Sequence, residues 1–300
     1  YYVNAADPDN EKLSVGISTD KGVTFTVYDV QITGSNSPYP VDPNPIVHDG
    51  KIRLTYLGNF MQGGTNKIVT ATSSDGTNFM EDGVIFTENV YDPDLFYYDV
   101  GSQWVLFVSN GTNLIKATSS SPNTTFTKDM SFSWNAGGIS STHKIGSKYY
   151  TYYAGMNGIS VAEYSNGILS NIADGIVAFP NNITADPTVA VFGPNDYKMF
   201  VKTMVGGGGP GGLPPLFSPD VMANLTALFD EYNGSVPKDV LIAWLNDTGN
   251  QMLEGAGGPT QHQISVAYSL DGIHVNGTVD ENGYTCENRT FILPNASVPD

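Results

Sequence analysis

The sequence predicts an all-β fold, a five-bladed β-propeller with a helical-hairpin insertion in blade four, and three observations carry that expectation. A strand-turn-strand hairpin recurs five times along the 300 residues. An Asp-Pro strand start recurs at positions 42, 92 and 186, with a degenerate copy near 137, which is the roughly 45- to 50-residue period of a propeller blade. The 33 glycines and 17 tyrosines suit many short strands joined by turns.

The hairpin is clearest in KLSVGISTDKGVTF, from Lys12 to Phe25. Leu13, Val15 and Ile17 alternate along a first strand, Asp20 and Gly22 make a tight turn, and a second strand begins near Thr24 and Phe25. The same unit returns as KIVTATSSDGTNF from Lys67, NLIKATSSSPNTTF from Asn113, GISVAEYSNGIL from Gly158 and QISVAYSLDGIHV from Gln263. Before each hairpin comes a second signal: VDPNPIVHDGKIRLTYLG from Val41, YDPDLFYYDVGSQWVLFVSN from Tyr91 and ADPTVAVFGPNDYKMFVKT from Ala185. GGISSTHKIGSKYYTYYAG from Gly137 has the same pattern without the Asp-Pro. Each unit therefore reads as an Asp-Pro strand, an aromatic strand, a hairpin strand and a Phe-containing outer strand.

Residues 1–300 form a single propeller in this reading, with blade five split between the termini. Tyr1, Tyr2 and Val3 resemble the close of an aromatic strand, and LPNASVPD ends at Asp300, where an innermost strand would begin. Residues 205–257 read as a Gly/Pro-rich linker and a helical insertion. Ser218-Pro219-Asp220 caps a helix bearing Val221, Leu225 and Leu228, and Ser235-Val236-Pro237 starts a second one bearing Val240, Leu241, Trp244 and Leu245.

Thirteen basic residues against thirty acidic ones give a net charge of -17, which opposes binding to nucleic acid or an anionic membrane. No apolar run approaches the about 20 residues of a membrane span. Cys286 is the only cysteine, so no intrachain disulfide exists and the fold rests on its core. Nine Asn-X-Ser/Thr sequons, at Asn110, Asn123, Asn182, Asn224, Asn233, Asn246, Asn276, Asn288 and Asn295, indicate a secreted or cell-surface glycoprotein. No signal peptide is visible, as expected of a mature chain.

The Asp-Pro strand starts and the Ser-x-Asp-Gly-x-x-Phe hairpins resemble the five-bladed propellers of glycoside hydrolase family 43 and its relatives. STDKGVTF, Ser18 to Phe25, also resembles the Asp-box of sialidase-like propellers. The resemblance covers nearly the whole chain apart from the helical insertion. It implies an axial pocket in which Asp42 is the base and Asp92 the tuning carboxylate. The family's acid is a glutamate at the start of the third blade, and here that stretch reads Asn135-Ala136-Gly137-Gly138-Ile139, with no glutamate. Without that proton donor, help typically worth about 100- to 10,000-fold is lost.

Asp186 and Asp300 begin the remaining blades, so four carboxylates ring the expected axis. Confined together they raise one another's pKa, or hold a cation such as Ca2+, or simply cap loop amides at strand entrances. Tyr91, Trp134 and Tyr149 are the expected sugar-facing aromatics. His48, His143, His262 and His274 are dispersed without metal-ligand spacing, and GGGGPGG from Gly206 lacks the Lys and Ser/Thr of a nucleotide loop. No cofactor motif is evident.

The expected function is therefore non-catalytic: an extracellular structural or assembly subunit whose incomplete blade is completed by a neighbouring copy, head to tail. The alternative is a family-43-like glycosidase or a degenerate carbohydrate-binding propeller.

Overall fold

The structure, a computed structural model, describes residues 1–4, 12–35, 40–59, 64–110, 113–155, 157–178, 183–193, 196–205, 227–228, 240, 261–269 and 291–292. These residues form five sheets. The first contains β1 (Tyr2–Asn4), β2 (Lys12–Ile17) and β3 (Thr26–Asp29). In the second, β4 (Gln31–Thr33), β5 (Val41–His48), β6 (Lys51–Leu57), β7 (Lys67–Ser73) and β8 (Asn78–Thr87) lie in the order β4-β8-β7-β6-β5. The third holds β9 (Tyr91–Tyr98), β10 (Gln103–Ser109), β11 (Leu114–Ser119) and β12 (Thr127–Lys128), and the fourth holds β13 (Gly138–Ile145), β14 (Lys148–Gly155), β15 (Gly158–Ser165) and β16 (Ile168–Val177). The fifth holds β17 (Ile183–Gly193), β18 (Asp196–Val205), β19 (Gln261–Ser269) and β20 (Phe291–Ile292).

Within the four larger sheets the chain meanders outward from β5, β9, β13 or β17 through antiparallel neighbours. Those four first strands pack against one another, β5 on β9, β9 on β13 and β13 on β17, so they are the inner strands of a propeller-like ring. The expected helical insertion lies outside the described residues, apart from Ala227, Leu228 and Val240, whose backbone is helical. Asp300 and the rest of the carboxyl-terminal half of the split blade also lie outside them.

Cores form between neighbouring sheets, where the alternating apolar residues of facing strands meet. Val41, Leu57 and Ile68 of the second sheet bury against Leu95, Trp104 and Leu106 of the third. Between the third and fourth sheets the filling is aromatic: Phe96, Tyr98 and Phe107 meet Tyr149 and Tyr164 at centroid separations of 5.0–6.0 Å, mostly edge to face. Large rings suit this wedge because each buries much area with few rotamers to fix. Lys116, 5% exposed, threads through the same interface, its Nζ donating to the Gly167 carbonyl at 2.8 Å and pairing with Asp129 at 2.8 Å.

The first sheet closes the ring. On one side the Tyr1 hydroxyl donates to the Gly76 carbonyl and its ring packs edge-on to Phe79 of the second sheet. On the other, the β2–β3 turn meets the fifth sheet through the Lys21–Asp196 ion pair and the Phe25–Phe200 edge contact. That turn is built as its sequence suggests: the Asp20 carboxylate accepts the Val23 and Thr24 amides and the Thr24 hydroxyl, while Ser18 Oγ accepts the Gly22 amide. These bonds hold the Asp20 carboxyl well below the usual carboxylate range, the Thr24 hydroxyl contributing most.

Gly22 sits at the closing contact with φ of 76°, and a methyl group there would lie 2.8 Å from the Phe200 ring. Gly50 shares the backbone requirement, with φ of 69°, but has open space around it. Gly22→Ala is therefore expected to lower stability by about 2–3 kcal/mol and Gly50→Ala by about 1 kcal/mol. Urea titration of both variants checks this, and equal losses would show that the Phe200 contact is not tight.

Candidate functional site: a ring of bulged stations at the hub

Each inner strand is interrupted near its start by a β-bulge. In β5 the pairs Val41–Leu57 and Asn44–Thr55 leave Asp42 and Pro43 opposite Tyr56 alone. In β9 Asp92 and Pro93, and in β17 Asp186 and Pro187, occupy the same gap. Proline belongs in such a gap because it has no amide hydrogen to give to a ladder. The aspartate before it takes a left-handed backbone, with φ of 54° at Asp42, 50° at Asp92 and 50° at Asp186. Aspartate tolerates that region better than most residues. The recurrent Asp-Pro is thus a bulge device that turns three carboxylates out of the sheets at one end of the hub.

The fourth station is in β13, where the register slips between Gly138 and Ser140 and Ile139 stands alone with φ of 53°. A β-branched residue in the left-handed region is a strained exception, typically worth about 1–3 kcal/mol. Gly137, two residues before it, leaves no room for a side chain: a Cβ there would lie 2.3 Å from the Ala154 carbonyl oxygen.

The three carboxylates are electrostatically linked. The Asp92 amide donates to Asp42 Oδ2 at 3.4 Å, and Lys202 of β18 pairs with Asp186. Burial, then the charges of Asp42 and Asp186, push the Asp92 carboxyl up to about 8, against an opposing pull from Lys202. The Asp92 carboxyl therefore holds its proton far above the usual carboxylate range. Burial acts to lower the Lys202 ammonium, but the charges of Asp186, Asp92 and Asp42 outweigh it and raise it, so it stays charged. Among the described residues no three His, Cys, Asp or Glu side chains converge closely enough to hold a metal ion, and the calcium expectation gains no support there.

Below the stations, one side chain from each of β5, β9 and β13 takes a backbone amide of the next inner strand. Asn44 Oδ1 accepts the Leu95 amide at 3.0 Å, Asp94 Oδ1 accepts the Thr142 amide at 3.0 Å, and His143 Nε2 accepts the Val189 amide at 3.2 Å. Asp94 Oδ2 also receives the Thr142 and Ser140 hydroxyls, at 2.7 and 3.0 Å. Burial raises the Asp94 carboxyl in spite of these three bonds, and burial pushes the His143 imidazole down to about 4, leaving it a neutral acceptor. Asp94, His143 and Lys202 carry the hub's polar contacts, and the sequence reading assigned no role to any of them.

Tyr91 lies beside Asp92, opposite Ser109, and is 43% exposed. Trp134 is partly buried near the same end, bridged to Leu114 and set edge-on to Tyr153 at 5.3 Å. Tyr149 is not at this end, which corrects the expectation for it. It pairs with Lys144 near the far end of β13, about 17 Å along the strand from Ile139 at 3.3 Å per residue, and is buried with its hydroxyl donating to Asp99 at 2.7 Å. Of the sequons, Asn110 and Asn123 are exposed in turns. The other seven asparagines lie outside the described residues.

No family model matches the chain, and no curated protein does. Solved structures do. The α-L-arabinofuranosidase of Clostridium thermocellum, a family-43 glycoside hydrolase, is 18% identical over 59% of this chain and 68% of its own, with a TM-score of 0.45. A proposed exo-β-1,3-galactanase from Bifidobacterium bifidum is 10% identical over 81% of this chain and 73% of its own, at 0.49. The exo-β-1,3-galactanase of Phanerochaete chrysosporium is 12% identical over 58% of this chain and 45% of its own, at 0.48. The likeness is one of fold.

Proposed function

We propose that this chain is an extracellular, N-glycosylated propeller that holds carbohydrate at its hub without hydrolysing it. The observation that carries this reading is Ile139. A glycosidase sets an acid and a second carboxylate on opposite sides of the bond it cleaves. Asp42 and Asp92 are neighbours on adjacent inner strands, joined by the Asp92 amide, and Asp186 is held by Lys202. The station between Asp92 and Asp186 carries a hydrocarbon in the backbone conformation that the others give to a carboxylate. Carbohydrate as the ligand follows from the resemblance of the Asp-Pro strands, with Tyr91 and Trp134 at the same end, and glycosylation from the exposed sequons.

Incubating the full chain with arabinan, xylan and aryl glycosides is expected to give no turnover above buffer, with saturable oligosaccharide binding that Asp42→Asn weakens about tenfold. Wild-type turnover abolished by Asp42→Asn would overturn the non-hydrolytic half, and absence of binding to any of these sugars the carbohydrate half. Ile139→Glu, which returns a carboxylic acid to the vacant station, is expected to introduce slow hydrolysis.

A second reading, assembly into head-to-tail fibres, is favoured by β1. Among the described residues that strand pairs on one side only, with β2. An open edge accepts a strand from another copy. Electron microscopy of native material showing monomers alone would remove it.

A further inference from the structure

A second recess lies well away from the stations, at the outer edge of the second sheet where it faces the third. It has a volume of about 510 Å³, within the roughly 300–1,000 Å³ of small-molecule sites. Arg53, Thr72, Asp82, Phe79 and Met80 line it, and Asn123 stands on its rim from the turn between β11 and β12. The floor carries Met80, 58% exposed, between the buried Phe79 and the half-buried Glu81 of β8. The wall is polar and fixed: Thr72 Oγ1 donates to Asp82 Oδ2 at 2.6 Å, and Arg53 Nη1 donates to Thr72 Oγ1 at 3.2 Å and lies 3.6 Å from Asp82.

Arg53 Nη1 also donates to Asn123 Oδ1 at 2.5 Å. Asn123-Thr124-Thr125 is a sequon, and its three residues are exposed. Linking a sugar to Asn123 replaces one Nδ2 hydrogen and leaves Oδ1 as an acceptor, so the Arg53 bond survives modification and fixes the plane from which the glycan departs. We propose that this cleft seats the first sugar rings of an N-linked glycan on Asn123. The apolar face of a hexosamine lies on Met80, and its hydroxyl and acetamide groups meet the Arg53, Thr72 and Asp82 wall. The inference rests on the reading of the chain as a secreted glycoprotein and adds to it a defined intramolecular seat.

The test begins with glycopeptide mass spectrometry on the full chain from its native source. The chain secreted from eukaryotic cells is then compared with its Thr125→Ala variant, which destroys the sequon while keeping Asn123 and its Arg53 bond. Asn123 is expected to be occupied, and Thr125→Ala to speed peroxide oxidation of Met80 about fivefold or more through loss of cover. Hydrogen exchange at 78–82 should quicken with it. An Asn110→Gln variant, lacking a glycan on the opposite end of the sheets, is expected to leave both readouts unchanged. Occupancy elsewhere with Asn123 bare overturns the seat and leaves the glycoprotein reading standing. No occupied sequon overturns both, and an occupied Asn123 with Met80 oxidising equally fast in both proteins overturns the seat alone.

Discussion

Asp94→Ala is expected to destabilise the protein by about 3–5 kcal/mol, because it removes the buried acceptor shared by three donors. The Thr142 amide and the Thr142 and Ser140 hydroxyls converge on that carboxyl, which is 1% exposed. The Thr142 hydroxyl also lies 2.9 Å from Thr151 Oγ1, so the amide and the Ser140 hydroxyl lose most. Thr142→Val removes a single donor from the same cluster and is expected to cost about 1–1.5 kcal/mol. Urea midpoints at unchanged slope measure both. An Asp94→Ala midpoint no lower than that of Thr142→Val would mean that the Asp94 carboxyl does not help to hold the third and fourth sheets together.

Asp92→Asn is expected to act in the opposite direction and only at higher pH. The Asp92 carboxyl has a folded-state value of about 8 against an ordinary 3.8, so the folded chain holds its proton more tightly than the unfolded chain does. Its contribution to stability is fully present below about pH 4, declines as the pH rises, and is gone above about 8. Asparagine mimics the protonated carboxyl and accepts the left-handed backbone. The variant should therefore match the wild type near pH 4 and exceed it by about 2–4 kcal/mol near pH 8.5, allowing for the partial exposure of the site. Melting temperatures of the two proteins across that range decide the matter. Parallel curves would mean that neither burial nor the charges of Asp42 and Asp186 raise the Asp92 carboxyl.

Much of the architecture was legible because it is local. The alternation of Leu13, Val15 and Ile17 gives a strand, and the Ser18, Asp20, Gly22 and Thr24 spacing gives the bonded turn that follows. The Asp-Pro starts were legible as strand entrances, and they prove to be bulges with aspartate in a left-handed backbone. The strands after GGISS marked 137–139 as a degenerate copy of VDPNP, but local pattern did not reveal that Ile139 takes the left-handed backbone of the aspartates. It takes the register between β13 and β14 to align them.

The hub ties were hidden for a similar reason. Asp94 is plain in YDPDLF, but its partners Ser140 and Thr142 are 46 and 48 residues away on the next inner strand. An acidic residue within a run otherwise buried, Asp94 before Leu95 and Phe96, was the available signal. Tyr149 was misplaced because the run KYYTYY does not itself say which of its ends faces the stations. Only the direction of β13 and β14 shows that its Tyr149 end lies far from the stations.

The Lys21–Asp196 pair spans 175 residues of sequence, and Lys198 reaches back across the same gap to the Lys21 carbonyl at 2.5 Å. A clasp of that kind can fasten only after the intervening sheets exist, and the entropy of so long a loop is spent before the contact repays it. The circle is thus completed late in folding, and until then the first and fifth sheets each show an unsealed flank. Two chains delayed at that stage have complementary flanks to offer, so crowded refolding should yield exchanged dimers in which one molecule's first sheet latches onto the other's fifth.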